Sequence, residues 1–283
     1  MSSAFPLYEP QARFNYLVAK KELESAIRKY PWYDAAWLRQ YVAAKKVIAR
    51  FHPKLLTEFI SAFDRLRTRP DFAVRKLGRV FDDDVMERIR ETIRTIPAYT
   101  YEKHEIKRFG RMVVHDHPFF TDLQKSIQPL VSELAGEIVE PCYNFLSLYS
   151  QFGVCEPHMD TPEAKWTLDL CIEQTNVWPI HFSQIVPWPE QFAYQGEDWQ
   201  ASVKQSPDLQ FTSYSLQPNE AVLFSGSSQW HYRDALTDFE SGGFCNLVFF
   251  HYLPEGTREL ATPRSWPKMF GIPELVGVVG APT

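Results

Sequence analysis

The run Glu156-Pro157-His158-Met159-Asp160 sets an imidazole and a carboxylate two residues apart. In an extended segment residues i and i+2 project to one face, so both side chains can reach a single metal ion. Alone the pair is weak evidence, because any His has about a one-in-twenty chance of an Asp at that offset and the chain holds 8 His. Weight comes from His231, far downstream and behind the strand-like run Pro218-Asn219-Glu220-Ala221-Val222-Leu223-Phe224. Two imidazoles and one carboxylate on one face of an octahedral ion leave three adjacent positions open, which is room for a co-substrate and O2. The plain alternative stays open at this level. His231, between Trp230 and Tyr232, could be a hydrogen-bonded core histidine, and Asp160-Thr161-Pro162 could be a turn capped by its Asp.

Positioning such a triad requires strands, and the texture after Pro141 supplies them. Short runs rich in Phe, Leu, Val, Tyr and Thr at 143–149, 166–172, 177–184, 211–216, 221–224, 229–233 and 244–252 are separated by Gly, Pro and Ser. Seven or eight short strands suggest a double-sheet jelly roll or barrel. Tryptophan and proline crowd 178–199, where a long loop is expected. Upstream, apolar residues recur at helical spacing over 11–67, with Pro31 and Pro53 dividing three helices. A further helix is predicted over 82–96, opened by an acidic cluster, then extended chain over 99–114 and a helix over 119–139. The predicted class is α+β, with residues 1–75 as a helical extension, a cap or lid, and 76–283 as the sheet domain with supporting helices.

Composition narrows the partners. A net charge of −5 and a pI near 5.9 offer no footprint for a nucleic-acid backbone or an anionic membrane. No stretch approaches 18 uninterrupted apolar residues, and the four cysteines, Cys142, Cys155, Cys171 and Cys245, show no C-x-x-C pairing. A cytoplasmic protein acting on a small molecule or peptide is expected. No G-x-S-x-G elbow, Walker loop or Rossmann glycine fingerprint occurs.

With these residues in place, the chain resembles the Fe(II)/2-oxoglutarate-dependent dioxygenase superfamily over about 143–253. That superfamily carries H-x-D on an early strand of a double-stranded β-helix (jelly-roll or cupin-like) and a second His near its end. Tyr149, nine residues before His158, is similar to the prolyl 4-hydroxylase-like branch, where the matching Tyr bonds the 2-oxoglutarate tail. The resemblance implies Fe(II) held by His158, Asp160 and His231, 2-oxoglutarate as co-substrate, and hydroxylation or a related oxidation of an unactivated C–H bond. It also exposes a departure. The superfamily usually has an Arg or Lys about ten residues after the second His, an offset that falls here on Ser241, with Asn246 the nearest polar residue on the following strand.

A buried carboxylate without a cation is costly, so another cation must serve if 2-oxoglutarate binds. Arg233, on the strand face of His231, is the first candidate, Lys165 the second and His251 the third. Arg233 could instead pair with Asp234 or Glu240. The departure also leaves room for an Fe(II) oxidase independent of 2-oxoglutarate, or for a cupin-like binding protein without turnover. His115-Asp116-His117 has ligand-type residues but precedes Pro118 and a helix, which suits helix-start chemistry. Phe109, Arg111 and Trp166 are possible pocket residues that the sequence does not orient.

Overall fold

Prolines punctuate the amino-terminal helices where expected. In the computed structural model, which describes residues 10–27, 29–190, 197–236 and 242–280, α1 spans Pro10–Ile27, α2 Ala36–Phe51 and α3 Leu56–Ala62. The α2 helix buries Trp37, Leu38, Tyr41, Ala44, Val47 and Ile48, a stripe at three- and four-residue spacing.

The chain then alternates strand and helix. The short β1 (Arg75–Leu77) leads to α4 (Asp83–Thr95), whose first turn is capped by the Asp82 carboxylate accepting from the Val85 amide at 2.9 Å. The stretch predicted as extended contains a helix, α5 (Ile106–Phe109), before β2 (Arg111–His115). Gly110 closes α5 at φ +66°, and a Cβ there would lie 2.1 Å from the Phe152 carbonyl oxygen, so only glycine fits. The single helix predicted over 119–139 is two, α6 (Pro118–Ser126) and α7 (Gln128–Ala135). Pro129 explains the break, because its ring excludes the carbonyl four residues back and it has no N–H to donate.

The remaining strands are β3 (Val139–Ser150), β4 (Cys155–His158), β5 (Trp166–Gln174), β6 (Ile180–Phe182), β7 (Thr212–Tyr214), β8 (Ala221–Phe224), β9 (His231–Arg233) and β10 (Phe244–Pro254), with the short helix α8 (Trp199–Lys204) before β7. They form two antiparallel sheets, β1-β8-β5-β10-β3-β2 and β4-β9-β6-β7. Period-two alternation sorts the larger sheet into two faces. Leu168, Leu170, Ile172, Val248, Phe250 and Tyr252 pack outward with residues of α4, α6 and α7. Cys171, Val222, Phe224, Leu247 and Phe249 turn inward to meet Ile180 and Phe182 of the smaller sheet.

The last helices, α9 (Arg258–Ala261), α10 (Trp266–Met269) and α11 (Val276–Val279), do not extend the sheet region. Leu260, Trp266, Leu275 and Val278 share one apolar cluster with Ala19, Trp37, Tyr41, Phe59 and Phe63 from the other end of the chain. The helical layer is therefore built from both termini. Trp266 is fully buried, with its indole N–H on the Leu260 carbonyl at 2.8 Å. Trp266→Ala should lower unfolding free energy by about 3–5 kcal/mol, read as a drop in denaturant midpoint; a change under about 1 kcal/mol would mean the two ends do not fold as one core.

Candidate metal centre and its cavity

The β4–β9 pairing brings the two candidate imidazoles together, because His158 and His231 are direct cross-strand partners. Their ring centroids lie 4.1 Å apart. Each ring is oriented from behind: Nδ1 of His158 meets the Glu156 carbonyl at 2.8 Å, and Nδ1 of His231 meets the Gln229 carbonyl at 3.0 Å. A carbonyl only accepts, so each Nδ1 carries a proton, which leaves Nε2 as the nitrogen through which each ring would ligate a metal. Backbone fixation of this kind is how metal-ligating histidines are held in one tautomer.

Asp160 completes the set from the turn after β4. Its amide donates to the Gly226 carbonyl at 2.8 Å, and its Oδ1 stands 3.3 Å from Nε2 of His158 and 3.5 Å from Nε2 of His231. The three donor atoms lie within 4.8 Å of one another. Burial disfavours the Asp160 charge, but the His231 and His158 rings outweigh it and hold the carboxyl well below the usual carboxylate range. Two imidazole nitrogens and one carboxylate oxygen converging at this spacing fit a divalent first-row ion with open positions, which would take the place of the ring protons.

The donors face a cavity of about 190 Å³ between the sheets. Its inward wall carries polar residues at positions where the strand pattern would otherwise place apolar ones. At one end, Arg233 is 2% exposed, donates to Oδ2 of Asp169 at 2.6 Å and also bonds the Trp178 carbonyl. The guanidinium cannot shed its proton, so this is a buried ion pair; Oδ1 of Asp169 has no partner among the described residues. Arg111 donates to the Tyr149 hydroxyl at 2.7 Å and to Glu105, and stacks over Phe109 and Phe145. Arg111 and Arg233 both act electrostatically on Tyr149. On another wall the His251 ring stacks on Tyr143 at 4.1 Å. Asp34, from the turn Tyr33–Ala35 ahead of α2, enters from the mouth with Oδ2 4.0 Å from Nε2 of His158. Burial pushes its carboxyl up to about 6.

Of the sequence candidates, His158, Asp160, His231, Tyr149, Arg233 and His251 all line this cavity. Lys165 and Asn246 do not. Lys165 points to the outer side, where it donates to Glu137 at 2.6 Å and to the Arg65 carbonyl, and Asn246 bonds Glu173 at 2.8 Å. Neither is placed to meet a co-substrate. His251 reaches the cavity, but burial depresses it to about 4, so it is neutral at physiological pH and supplies no cation. Ser241 and Glu240 lie outside the described residues, and the partner of Arg233 is Asp169 rather than Asp234. Phe109 and Arg111 line the cavity, whereas Trp166 faces outward and bonds Glu137. His115 bonds Glu102, and no second metal-ligand cluster occurs among the described residues.

Sequence reasoning passed over Asp169 and Asp34. Asp169 had a signal, being a lone charge within the apolar strand Trp166-Thr167-Leu168-Asp169-Leu170. Asp34 had none, since nothing local ties a turn between helices to a distant strand.

No protein-family model and no curated protein matches the chain. Among solved structures it is similar to the non-heme alpha-ketoglutarate-dependent epimerase SnoN from nogalamycin biosynthesis, with 16% identity, TM-score 0.47, 75% of this chain and 90% of that one covered. It is also similar to HygX from Streptomyces hygroscopicus, solved with nickel, 2-oxoglutarate and hygromycin B, with 10% identity, TM-score 0.48, 70% and 87% covered. EctD from S. alaskensis matches with 13% identity, TM-score 0.46, 69% and 74% covered. Likeness this distant does not decide chemistry, which rests on the geometry above.

Two expectations follow from that geometry. A Cβ at Gly226 would lie 2.2 Å from Oδ2 of Asp160 and 2.5 Å from the Ala164 carbonyl, so Gly226→Ala must displace the ligand turn. Calorimetry should show divalent-metal affinity reduced at least about tenfold; unchanged affinity would detach Asp160 from the metal. His251 is neutral when folded but takes a proton near 6.5 when unfolded, so stability is lost as pH falls from about 6.5 to about 4, by on the order of 3 kcal/mol. His251→Phe, which keeps the ring stack, should flatten that part of the stability–pH curve; an identical curve would show that His251 titrates freely in the fold.

Proposed function

We propose that the protein is a mononuclear Fe(II) oxygenase using O2 and 2-oxoglutarate, and that its two sheets are the halves of a double-stranded β-helix. The observation that carries this is the cross-strand pair His158–His231, each ring fixed through Nδ1 to a backbone carbonyl, with Asp160 between their Nε2 atoms. When bound, Fe(II) with 2-oxoglutarate and O2 supplies the oxidant that inserts one oxygen atom into a C–H bond and the other into succinate, with release of CO2. Asp160 keeps a carboxylate at the ligand position that a halogenase of this superfamily gives up to admit halide, so hydroxylation or a related C–H oxidation of a small molecule, amino acid or peptide is the assigned outcome.

The chain's own residues would do three things. His158, Asp160 and His231 would hold the metal. Tyr149, flanked by Arg111 and Arg233, forms the cationic end of the cavity and would receive the distal carboxylate of 2-oxoglutarate; guanidinium–carboxylate contacts there give direction as well as energy. Phe109, Phe145, Phe224, Ile180 and Phe249 would keep water from the reacting centre. A reducing cytoplasm suits this reading, since all four cysteines are free thiols.

The engaged guanidinium of Arg233 favours one second reading. Its charge is already matched by Asp169, which favours iron chemistry without 2-oxoglutarate as the alternative. Succinate decides, because O2 consumption without it removes the co-substrate.

Anaerobic Fe(II) should bind at about one equivalent, and adding 2-oxoglutarate should produce the weak visible charge-transfer band of its chelate. His158→Ala and Asp160→Ala should retain almost no iron. Absence of the band in the unmodified protein would end the proposal. Arg233→Lys, which leaves a cation beside Asp169, and Arg111→Met should each retain iron but weaken 2-oxoglutarate about ten- to hundredfold in a titration of the band. Unaltered affinity in both variants would place the co-substrate carboxylate elsewhere.

A further inference from the structure

Asp34 is delivered to the cavity by a segment pinned to the triad itself. The Trp32 indole N–H donates to the carbonyl of Met159, the residue between His158 and Asp160, at 3.1 Å, and its ring packs edge-on against Trp230 at 4.9 Å. Arg39 holds the same segment from the helix behind, donating to the Tyr30 and Trp32 carbonyls. The turn therefore has a fixed relation to both triad strands.

The carboxylate it presents is unmatched. Glu105 pairs with Arg111, Glu156 pairs with Arg108 at 2.8 Å, and Asp160 faces the two imidazoles. Asp34 accepts no hydrogen bond and has no Lys or Arg in ion-pair contact among the described residues; His158 is its nearest titratable neighbour at 4.0 Å, and Asp160, Arg111 and Glu105 act on it from farther off. It does not belong to the group of ligand atoms lying within 4.8 Å of one another, so it stands beside the metal position rather than on it. Its side chain is 32% exposed and lines the cavity at the mouth, together with Tyr33 and Phe109, which meet edge to face at 5.6 Å. Of the arginines lining the cavity, Arg111 and Arg233 sit with Tyr149, whereas Arg108 lies over Tyr33 and Phe109 near Asp34 but has its charge matched by Glu156.

From this placement we infer that Asp34 is a specificity-determining residue that binds a protonated nitrogen of the substrate, so that the substrate is an organic cation, an alkylammonium or guanidinium compound, held by its charge beside the metal. A substrate anion would meet an uncompensated carboxylate at the entrance, and a neutral molecule would leave that carboxylate partly desolvated without a partner. An ammonium or guanidinium supplies N–H donors and opposite charge together. This substrate class rests on the oxygenase reading, but the binding event does not.

The test uses cadaverine and lysine methyl ester as cationic probes and 1,5-pentanediol as the uncharged counterpart. Each is titrated calorimetrically into the protein as isolated and, anaerobically, into its Fe(II)–2-oxoglutarate complex while the visible band is followed. The amines should bind at least about tenfold more tightly than the diol and shift the band. Asp34→Asn should form the same band but lose the preference for amines. Equal binding of amine and diol to the unmodified protein, or equal amine affinity in Asp34→Asn, overturns the proposal while leaving the oxygenase reading intact. Absence of the band with amine preference retained in calorimetry overturns the oxygenase reading alone. Should Asp34→Asn fail to fold, the amine–diol comparison on the unmodified protein still decides.

Discussion

The cross-strand pairing of His158 with His231 is the constraint on which the rest of the site depends. Side chains alternate between faces along a strand, so a slip of one residue between β4 and β9 would turn one imidazole away from the other. Register therefore matters more here than the identity of either loop. The smaller sheet is short, and its β4–β9 contact is irregular between Cys155 and His158. Much of what holds it comes from outside the ladder: the Asp160 amide on the Gly226 carbonyl, the Ser183 amide on the Trp230 carbonyl, and the Gln229 side chain bridging the Ser225 amide and the Ser183 carbonyl. Those bonds tie the turn after β8 to the strands that carry the two imidazoles, and a glycine is required at 226 because a Cβ there would lie 2.2 Å from Oδ2 of Asp160.

The same alternation explains how one sheet can be both core and cavity wall. On β5 and β10 the outward residues are almost purely aliphatic or aromatic and pack against helices. The inward positions carry Thr167, Asp169 and His251 among apolar residues. Burying Asp169 and Arg233 together costs desolvation that a hydrophobic pair of the same volume would avoid. The pair is better understood as fixing the plane of the guanidinium at the closed end of the cavity than as a source of stability.

How much of this was legible depends on the range of the signal. The longer strands and helices were visible because their periodicity is local, down to the proline breaks near Pro31 and Pro53, whereas β1, β4 and the short helices α5 and α8 to α11 carry too few residues to show a period. The H-x-D spacing and the downstream His231 likewise singled out residues that the sheets bring together. What failed were assignments needing a side chain's direction. Lys165 precedes β5 and was a reasonable cation by type, yet the chain turns it toward Glu137 on the opposite face. Asn246 sits one residue from the inward-facing Leu247 and so points away. The helix break at Pro129 was readable and was missed by following apolar spacing alone.

The helical layer was the least legible part, because its meaning is tertiary. Periodicity marks it as an amino-terminal extension packed on the core but does not show that its apolar cluster also takes in Trp266, Leu275 and Val278 from far along the chain. That closure matters for the site. The turn carrying Trp32 and Asp34 is held on one side by Met159 and Trp230 and continues on the other into α2, whose Trp37 indole bonds the Ala261 carbonyl at 2.7 Å. The carboxylate at the mouth is thus referenced to the strands of the two imidazoles and, through α2, to the helices after β10. A lid free to swing would need this turn to leave Met159 and Trp230, exposing buried tryptophan surface and an indole N–H at every opening. The packing argues instead for a fixed wall, with selection made by the charge it carries rather than by closure around the substrate.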